Sequence, residues 1–361
     1  SVGVRGDATH YANKVLSWDC TSGCVDLAVD ALALDKGAWE VFGFDPREST
    51  NPSAIDGFKR EARKLVLESV CNHDTLIFIF KNAKALRSIT VQPTLSGMVQ
   101  LGIDAVVKQL LLERANIDLT DQSLNRRLAY LGSRDWDTDP DPWCTIDKKS
   151  ASNLIAKLLP GFVLPGAWSK LLWSTRSPLY QTPPAMGGDI RQYEMYAGMG
   201  NGTTFGVESL FFLAAAYAVS EVEEPSALRR DRLFSIFGDD LLIRQSHAAK
   251  YIEFIEYLGF RINHDKSFTS GPFRESCGAD YWKGINVRPA YVRGDGMLEP
   301  LELIGVHNTL MDSPFFCMLT ACKRIRALWS KVSSWPIPSD PAGGLGFRTT
   351  GTPAWDYVEK A

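Results

Sequence analysis

Leu233-Phe-Ser-Ile-Phe237, Gly238-Asp239-Asp240 and Leu241-Leu-Ile243 are one continuous stretch in which two apolar runs flank a glycine and two carboxylates. Short apolar runs broken by a turn-forming glycine read as strand, tight turn, strand, so the spacing predicts a β-hairpin with both carboxylates at its tip. Gly and Asp are favoured in any hairpin turn, and that alone accounts for the tripeptide. A second reading is chemical: two hydrophobic strands running into paired like charges store repulsion that a cation relieves.

Upstream, Trp143-Cys-Thr-Ile-Asp147 is another short apolar strand ending in a carboxylate, after which helical spacing resumes over 151–159. Gly198-Met-Gly-Asn-Gly202 is a flexible loop that runs straight into an apolar helix over 207–220. Downstream, Ser246 is placed to cap a helix whose apolar residues Ala248, Ile252, Ile255 and Leu258 recur every three or four positions. Gly259 suits its left-handed end. Further strands are predicted at 76–80, 88–91, 261–262 and 281–287, and further helices at 58–70, 97–115, 121–131, 301–309 and 315–329. This order is α+β, helices packed on an antiparallel sheet, and not a doubly wound nucleotide fold.

Of the 361 residues 45% are hydrophobic and 22% charged, close to globular averages, which excludes a disordered or fibrous chain. Lys and Arg total 39 against 42 Asp and Glu, so bulk charge announces neither a nucleic-acid nor a membrane partner, and any basic groove must come from local clustering. The longest wholly apolar run, residues 210–219, is far shorter than the roughly 18 to 20 residues that cross a bilayer, and no membrane span is expected. Seven cysteines without a C-x-x-C pair argue against a zinc site or a disulfide framework and for a reducing cytoplasm. Ser1 stands first with no charged-then-apolar leader after it, which reads as a fragment or a processed chain.

Adjacent pairing of the strands that carry Asp147, Asp239 and Asp240 brings three carboxylates together. Such hard oxygen donors can hold two Mg²⁺ ions about 3.5 to 4 Å apart, the clamp used for in-line displacement at phosphorus. The run Asp135, Asp137, Asp139, Asp141 lacks the Gly and Glu of a calcium loop and reads as a solvated turn. Gly198-x-Gly-x-Gly202 fails the dinucleotide fingerprint, and no P-loop occurs, but glycines opening a helix can cradle a nucleotide or a template backbone. Lys81, Lys84 and Arg87 suit a triphosphate, or equally a solvated basic face. Lys148-Lys149 and Arg229-Arg230 read as solvated faces. Lys266 is a candidate general acid or a surface lysine.

Four stretches stand in the order of viral RNA-dependent RNA polymerase palm motifs. They are Thr145-Ile-Asp-Lys-Lys-Ser-Ala-Ser-Asn153, Met199-Gly-Asn-Gly-Thr-Thr-Phe205, Phe237-Gly-Asp-Asp240 and Asn263-His-Asp-Lys-Ser-Phe-Thr-Ser-Gly-Pro-Phe-Arg-Glu-Ser-Cys-Gly278. With Asp118-Leu-Thr-Asp-Gln-Ser-Leu-Asn-Arg126 ahead of them, the chain resembles the replicase catalytic subunit of single-stranded RNA bacteriophages, the leviviruses, from about residue 75 to 295.

The resemblance implies a right-hand polymerase fold with an antiparallel-sheet palm: fingers at 1–140, a palm segment at 141–160, a fingers insertion at 161–196, palm at 197–292 and a partial thumb at 293–361. It implies RNA-templated RNA synthesis from ribonucleoside triphosphates with two Mg²⁺ ions, Mn²⁺ being a possible substitute. Asp147 and Asp239 would bind metal with Asp240 assisting. Lys81, Lys84 and Arg87 would meet the triphosphate. Ser152 and Asn153, with Gly200, Asn201, Gly202 and Thr204, would lie near the sugar and the template, and Lys266 near the leaving pyrophosphate. The implied partners are a single-stranded RNA template, the nascent RNA, host translation elongation factors and a ribosomal protein, in the bacterial host cytoplasm and without a membrane. Relatives extend further at both ends, so a truncated chain is expected. Asn153 stands where the family usually has Asp, and Gly198 where it often has Ser. The rival reading is a catalytically silent palm-fold module for RNA binding or assembly; a reverse transcriptase fits less well, because Gly238 sits poorly in an aromatic-x-Asp-Asp turn.

Overall fold

The hairpin forms where the apolar runs predict it. Phe234–Phe237 pairs antiparallel with Asp240–Arg244, Phe234 facing Ile243 and Phe237 facing Asp240. Phe234, Ile236, Leu241, Leu242 and Ile243 are all buried, so the strands are covered on both faces and read as continuous rather than alternating apolar runs. The structure, a computed structural model, describes residues 17–82, 85–220, 232–288, 300–311 and 317–332. It divides into two compact units, one of residues 1–122, 146–243 and 247–265, the other of 123–145, 244–246 and 266–361.

In the first unit the helices Val25–Ala33, Lys36–Val41 and Pro52–Glu68 close around Trp39, whose ring stacks on Phe58 at 4.8 Å. The first two of these helices were not legible in the sequence. Thr94–Ala115 buries Leu95, Gln100, Ile103, Asp104, Val107 and Leu111 at helical spacing. By length and composition this helix alone among the described residues is long and apolar enough to cross a bilayer. Its inward polar residues instead hold neighbouring segments: Asp104 accepts from the Gly206 N–H and Gln100 donates to the Thr175 carbonyl. It is a core helix. The apolar helix beyond the glycine loop, Thr204–Ser220, starts three residues earlier than its spacing predicts, with Asp104 accepting from the Gly206 N–H in its first turn.

A four-stranded sheet has the order Ala85–Val91, His73–Asn82, Leu179–Gln181, Ile190–Gln192. The first two strands form a long antiparallel ribbon with Ile79 opposite Arg87. Towards its tip Phe78, Ile79, Phe80 and Leu86 are exposed, on both faces.

The helix expected over 151–159 does not form. Ser152–Leu154 makes one 3-10 turn, and the chain then pairs with 194–196: Tyr196 N–H donates to the Ile155 carbonyl and Lys157 N–H to that of Glu194. Backbone groups used in this way cannot close helical turns. Leu159–Val163 and Gly166–Thr175 are helical instead.

In the second unit Ser123–Arg134 packs on an antiparallel sheet of Phe273–Ser276, Ala279–Trp282 and Ile285–Asn286. The strand expected over 281–287 is therefore two short strands, turned at Lys283-Gly284, both with positive φ. The aspartate run is not simply solvated. Asp139 pairs with Arg244 at 2.9 Å, and Asp141 accepts from both the N–H and the hydroxyl of Ser246. Asp141 thus caps the helix Gln245–Tyr257, and Ser246, the expected cap, sits within its first turn. Gly259 ends that helix with φ +90, as its position predicts. Pro300–Met311 and Cys317–Val332 pack as a helical pair.

Candidate active site

Asp147 follows its apolar strand at the point where Lys148–Lys149 pairs with Arg261–Ile262. The next residue on that partner strand, Asn263, donates its N–H to the Asp147 carbonyl at 2.9 Å and its Nδ2 to Asp147 Oδ2 at 2.6 Å. The first carboxylate is therefore oriented before any ligand arrives. The Asp-Asp turn is held from two sides: the Gly238 N–H donates to Ser209 Oγ at 3.1 Å, and the Asp239 carbonyl accepts from Lys148 Nζ at 2.8 Å. Gly238 has φ +64, the sign that a two-residue hairpin turn asks of its first tip residue.

Asp147, Asp239 and Asp240 are half-buried, whereas Lys148 is 3% exposed. Lys148 was expected on a solvated face; only Lys149 is exposed. Burial draws the Lys148 pKa down to about 8 against the opposing pull of Asp239, Asp240, Asp147 and Glu208. Glu208, buried on the helix Thr204–Ser220, is pushed up to about 8 by burial first and by the charge of Asp239 second. One buried cation therefore interacts with all three carboxylates of the sequence reading. Among the described residues no group of three His, Cys, Asp or Glu side chains makes a ready-formed metal cage. Mg²⁺ is commonly held by one or two carboxylates together with waters and substrate phosphates, so this open set of hard oxygens fits an ion that is shared with a phosphate ligand.

The glycine loop is built differently. Gly200 has φ +122, and a Cβ there would strike the Thr90 carbonyl. Asn201, buried, accepts from the Thr203 N–H at 2.9 Å and hydroxyl at 2.7 Å, and donates to Gln92 Oε1 at 3.4 Å. The Gly202 N–H donates to Gln100 Oε1 at 2.9 Å, and the Thr204 N–H to the Asn201 carbonyl at 3.1 Å. Beneath them Gln92 and Tyr193 donate to Asp74 at 2.5 and 2.8 Å. Asp74 is buried, and desolvation raises its pKa. Asn201 and Thr204 thus turn their side chains into the loop's own fold, while Gly200 is exposed. Ser152 is buried and Asn153 exposed on their 3-10 turn.

Lys81 and Arg87 are exposed on the ribbon, and none of the described acidic groups pairs with either. Lys84 and Arg229-Arg230 lie outside the described residues. Lys266 belongs to the second unit, where its ammonium pairs with Glu275 at 2.9 Å. Sequence reasoning missed the supporting residues Gln92, Gln100, Asp104 and Glu208. A carboxylate inside the apolar run of 204–220 was a signal for Glu208; glutamines on a helix carry none.

The family described as RNA replicase, beta-chain, matches residues 51–312. The chain is 37% identical over 248 residues to the RNA-directed RNA polymerase subunit beta of Qbeta virus (strain MX1), covering 68% of this chain and 40% of that one. It is 36% identical over 242 residues to the corresponding subunit of Enterobacteria phage SP, covering 66% and 40%. The chain thus spans about 40% of the length of these curated relatives. Among solved structures, a BmCPV RNA-dependent RNA polymerase at elongation state superposes with a TM-score of 0.50 at 10% identity, covering 71% of this chain and 26% of that one. That likeness shows a shared fold.

Proposed function

The chain belongs to the RNA replicase beta-chain family, and on that premise we propose that it carries the nucleotidyl-transfer centre of an RNA-directed RNA polymerase. The observation that supports the reading is the gathering of Asp147 and the Asp239-Asp240 turn around one buried lysine, within a single unit and in the family's motif order. Asp147 and Asp239, with Asp240 beside them, would hold Mg²⁺, for which Mn²⁺ can substitute. When bound, the metal supplies charge stabilisation to the attacking and leaving oxygens of an in-line displacement at phosphorus.

The chain's own residues position the reactants. Asn263 orients the Asp147 carboxylate, and Ser209 and Lys148 fix the turn, so little reorganisation remains when charge develops. Lys81 and Arg87, exposed and paired with none of the described acidic groups, would meet the triphosphate together with Lys84. The exposed Asn153 amide, donor and acceptor at once, meets the ribose 2′-hydroxyl, while Asn201 and Thr204 act by shaping the loop on which Gly200 faces the template. Lys266 is assigned to the departing pyrophosphate by the family pattern. In this reading 1–140 and 161–196 are fingers, 141–160 and 197–292 palm, and 293–361 thumb. The RNA template, ribonucleoside triphosphates and host translation factors are its partners in a bacterial cytoplasm.

Extension of a self-priming RNA hairpin by the purified chain with Mg²⁺, comparing ribonucleotides with deoxyribonucleotides, tests this. Ribonucleotide addition is expected, lowered at least about 10³-fold by Asp147→Ala or Asp239→Ala. Either folded variant keeping a tenth of the wild-type rate would defeat the assignment, and RNA binding without extension would favour the silent module.

A further inference from the structure

Lys148 follows the first carboxylate directly, yet its side chain does not share that residue's half-open position. It is 3% exposed, and its ammonium lies 4.3 Å from the ring centre of Phe212 and 5.5 Å from that of Tyr251. Two aromatic faces and a main-chain carbonyl form its immediate surroundings; its hydrogen bond goes to the Asp239 C=O at 2.8 Å and not to a carboxylate. The four carboxyl groups that it feels, Asp239, Asp240, Asp147 and Glu208, come from three separate segments of the chain. Glu208 lies directly beneath the turn, its Oε1 3.3 Å from where a Cβ on Gly238 would stand.

A lysine rarely goes fully inside without a partner, because stripping its hydration shell is costly. Aromatic faces return part of that cost and the field of clustered carboxylates another part, while burial still outweighs the carboxylates. The exchange has a consequence for the carboxylates. A unit charge on the ammonium offsets part of their mutual repulsion, and the same charge repels an incoming divalent cation. A nucleoside triphosphate brings negative charge of its own and reverses that balance.

Resting on the reading of this centre as a metal-dependent nucleotidyl transferase, we infer that Lys148 is a positioning residue that acts as a built-in counter-cation. It braces the Asp239 main chain and keeps the carboxylates from loading with free divalent metal until a nucleotide arrives. The polymerase then rests with its turn preset and its metal site underfilled, and metal enters together with substrate.

Mn²⁺ binding to the intact chain, followed by electron paramagnetic resonance with and without a non-hydrolysable nucleoside triphosphate, tests this apart from RNA extension. Wild type should bind Mn²⁺ weakly alone and more tightly with nucleotide. Lys148→Met, apolar and of similar length, should tighten nucleotide-free Mn²⁺ binding by roughly tenfold, the order that Coulomb's law gives for a divalent ion near a unit charge at the screening of water. It should also shrink the gain that nucleotide brings. Lys148→Arg keeps the charge and should retain weak nucleotide-free binding, which separates charge from packing, and thermal unfolding of each variant reports whether the fold holds. Unchanged or weaker Mn²⁺ binding in folded Lys148→Met would overturn the inference and leave the polymerase reading standing. If Lys148→Met does not fold, weak nucleotide-free binding by Lys148→Arg still supports the inference, and tight binding overturns it. Wild type that takes up no Mn²⁺ even with nucleotide would overturn the metal reading and this inference with it.

Discussion

The glycine loop at 198–202 and the Asp-Asp turn at 238–240 are both short and both depend on a glycine with positive φ, but they are held by opposite means. The turn is braced by a charge and a hydroxyl, Lys148 on the Asp239 carbonyl and Ser209 on the Gly238 N–H. The loop is held by neutral amides, Gln92 and Gln100, which sit above a buried carboxyl and below the loop's main chain. The turn that the proposed function assigns to a metal is braced by a charge, and the loop's shape is kept by neutral hydrogen bonds. The glutamines hold Asn201 and Gly202 in place whether or not a cation is near.

The sharpest way to break this comparison is to add one methyl group to each glycine. In Gly200→Ala the Cβ meets the Thr90 carbonyl, which is main chain and cannot swing aside, at a φ of +122. A loss of about 3 kcal/mol or more in urea unfolding is expected. In Gly238→Ala the new atom lies 2.6 Å from the edge of the Phe205 ring, a side chain that can move, at a φ tolerated for about 1 to 2 kcal/mol. Equal losses would mean that the two glycines do the same work.

A milder test removes the supports. Gln100→Leu leaves the Gly202 N–H and the Thr175 carbonyl without their partner and should cost about 2 to 3 kcal/mol, while Ser209→Ala leaves one N–H unpaired, for about 1 kcal/mol. Chemical denaturation of both gives the ranking directly. If Ser209→Ala were the more damaging, the turn and not the loop would depend on its neutral bonds.

The smallest effect concerns acidity. The Asp74 carboxyl is held above its ordinary pKa by burial, so its contribution to stability is fully present below about pH 4 and is lost as pH rises through its folded value. Melting temperature measured from pH 4 to 8 should therefore fall less steeply in Asp74→Asn than in wild type. Parallel curves would show that Asp74 titrates alike in folded and unfolded chains.

What the sequence revealed follows the same division. The hairpin, the glycine loop and its helix were legible because each is a local pattern: apolar runs around Gly-Asp-Asp, and glycines opening an apolar helix. The helix expected over 151–159 was wrong because a partner some forty residues away at 194–196 took its backbone hydrogen bonds, and no local spacing reports that. Ser246 has the right chemistry for a cap, yet Asp141 from a distant turn performs it. Lys148 was misjudged for a related reason. Two adjacent lysines look alike in a sequence, but a strand sends neighbouring side chains to opposite faces, and here one of those faces is the interior.

The ribbon of His73–Asn82 and Ala85–Val91 has a bearing on how the protein behaves in a tube. Ala85–Val91 lies at the edge of its sheet, and apolar side chains crowd the ribbon's exposed tip. An edge of this kind invites a second copy to add its own strand. Lys81 and Arg87 stand among those side chains as gatekeepers, so that like ribbons meet charge against charge before their apolar faces touch. Neutralising Lys81 and Arg87 for a binding study therefore strips charge from an exposed apolar edge as well as from the proposed triphosphate contact.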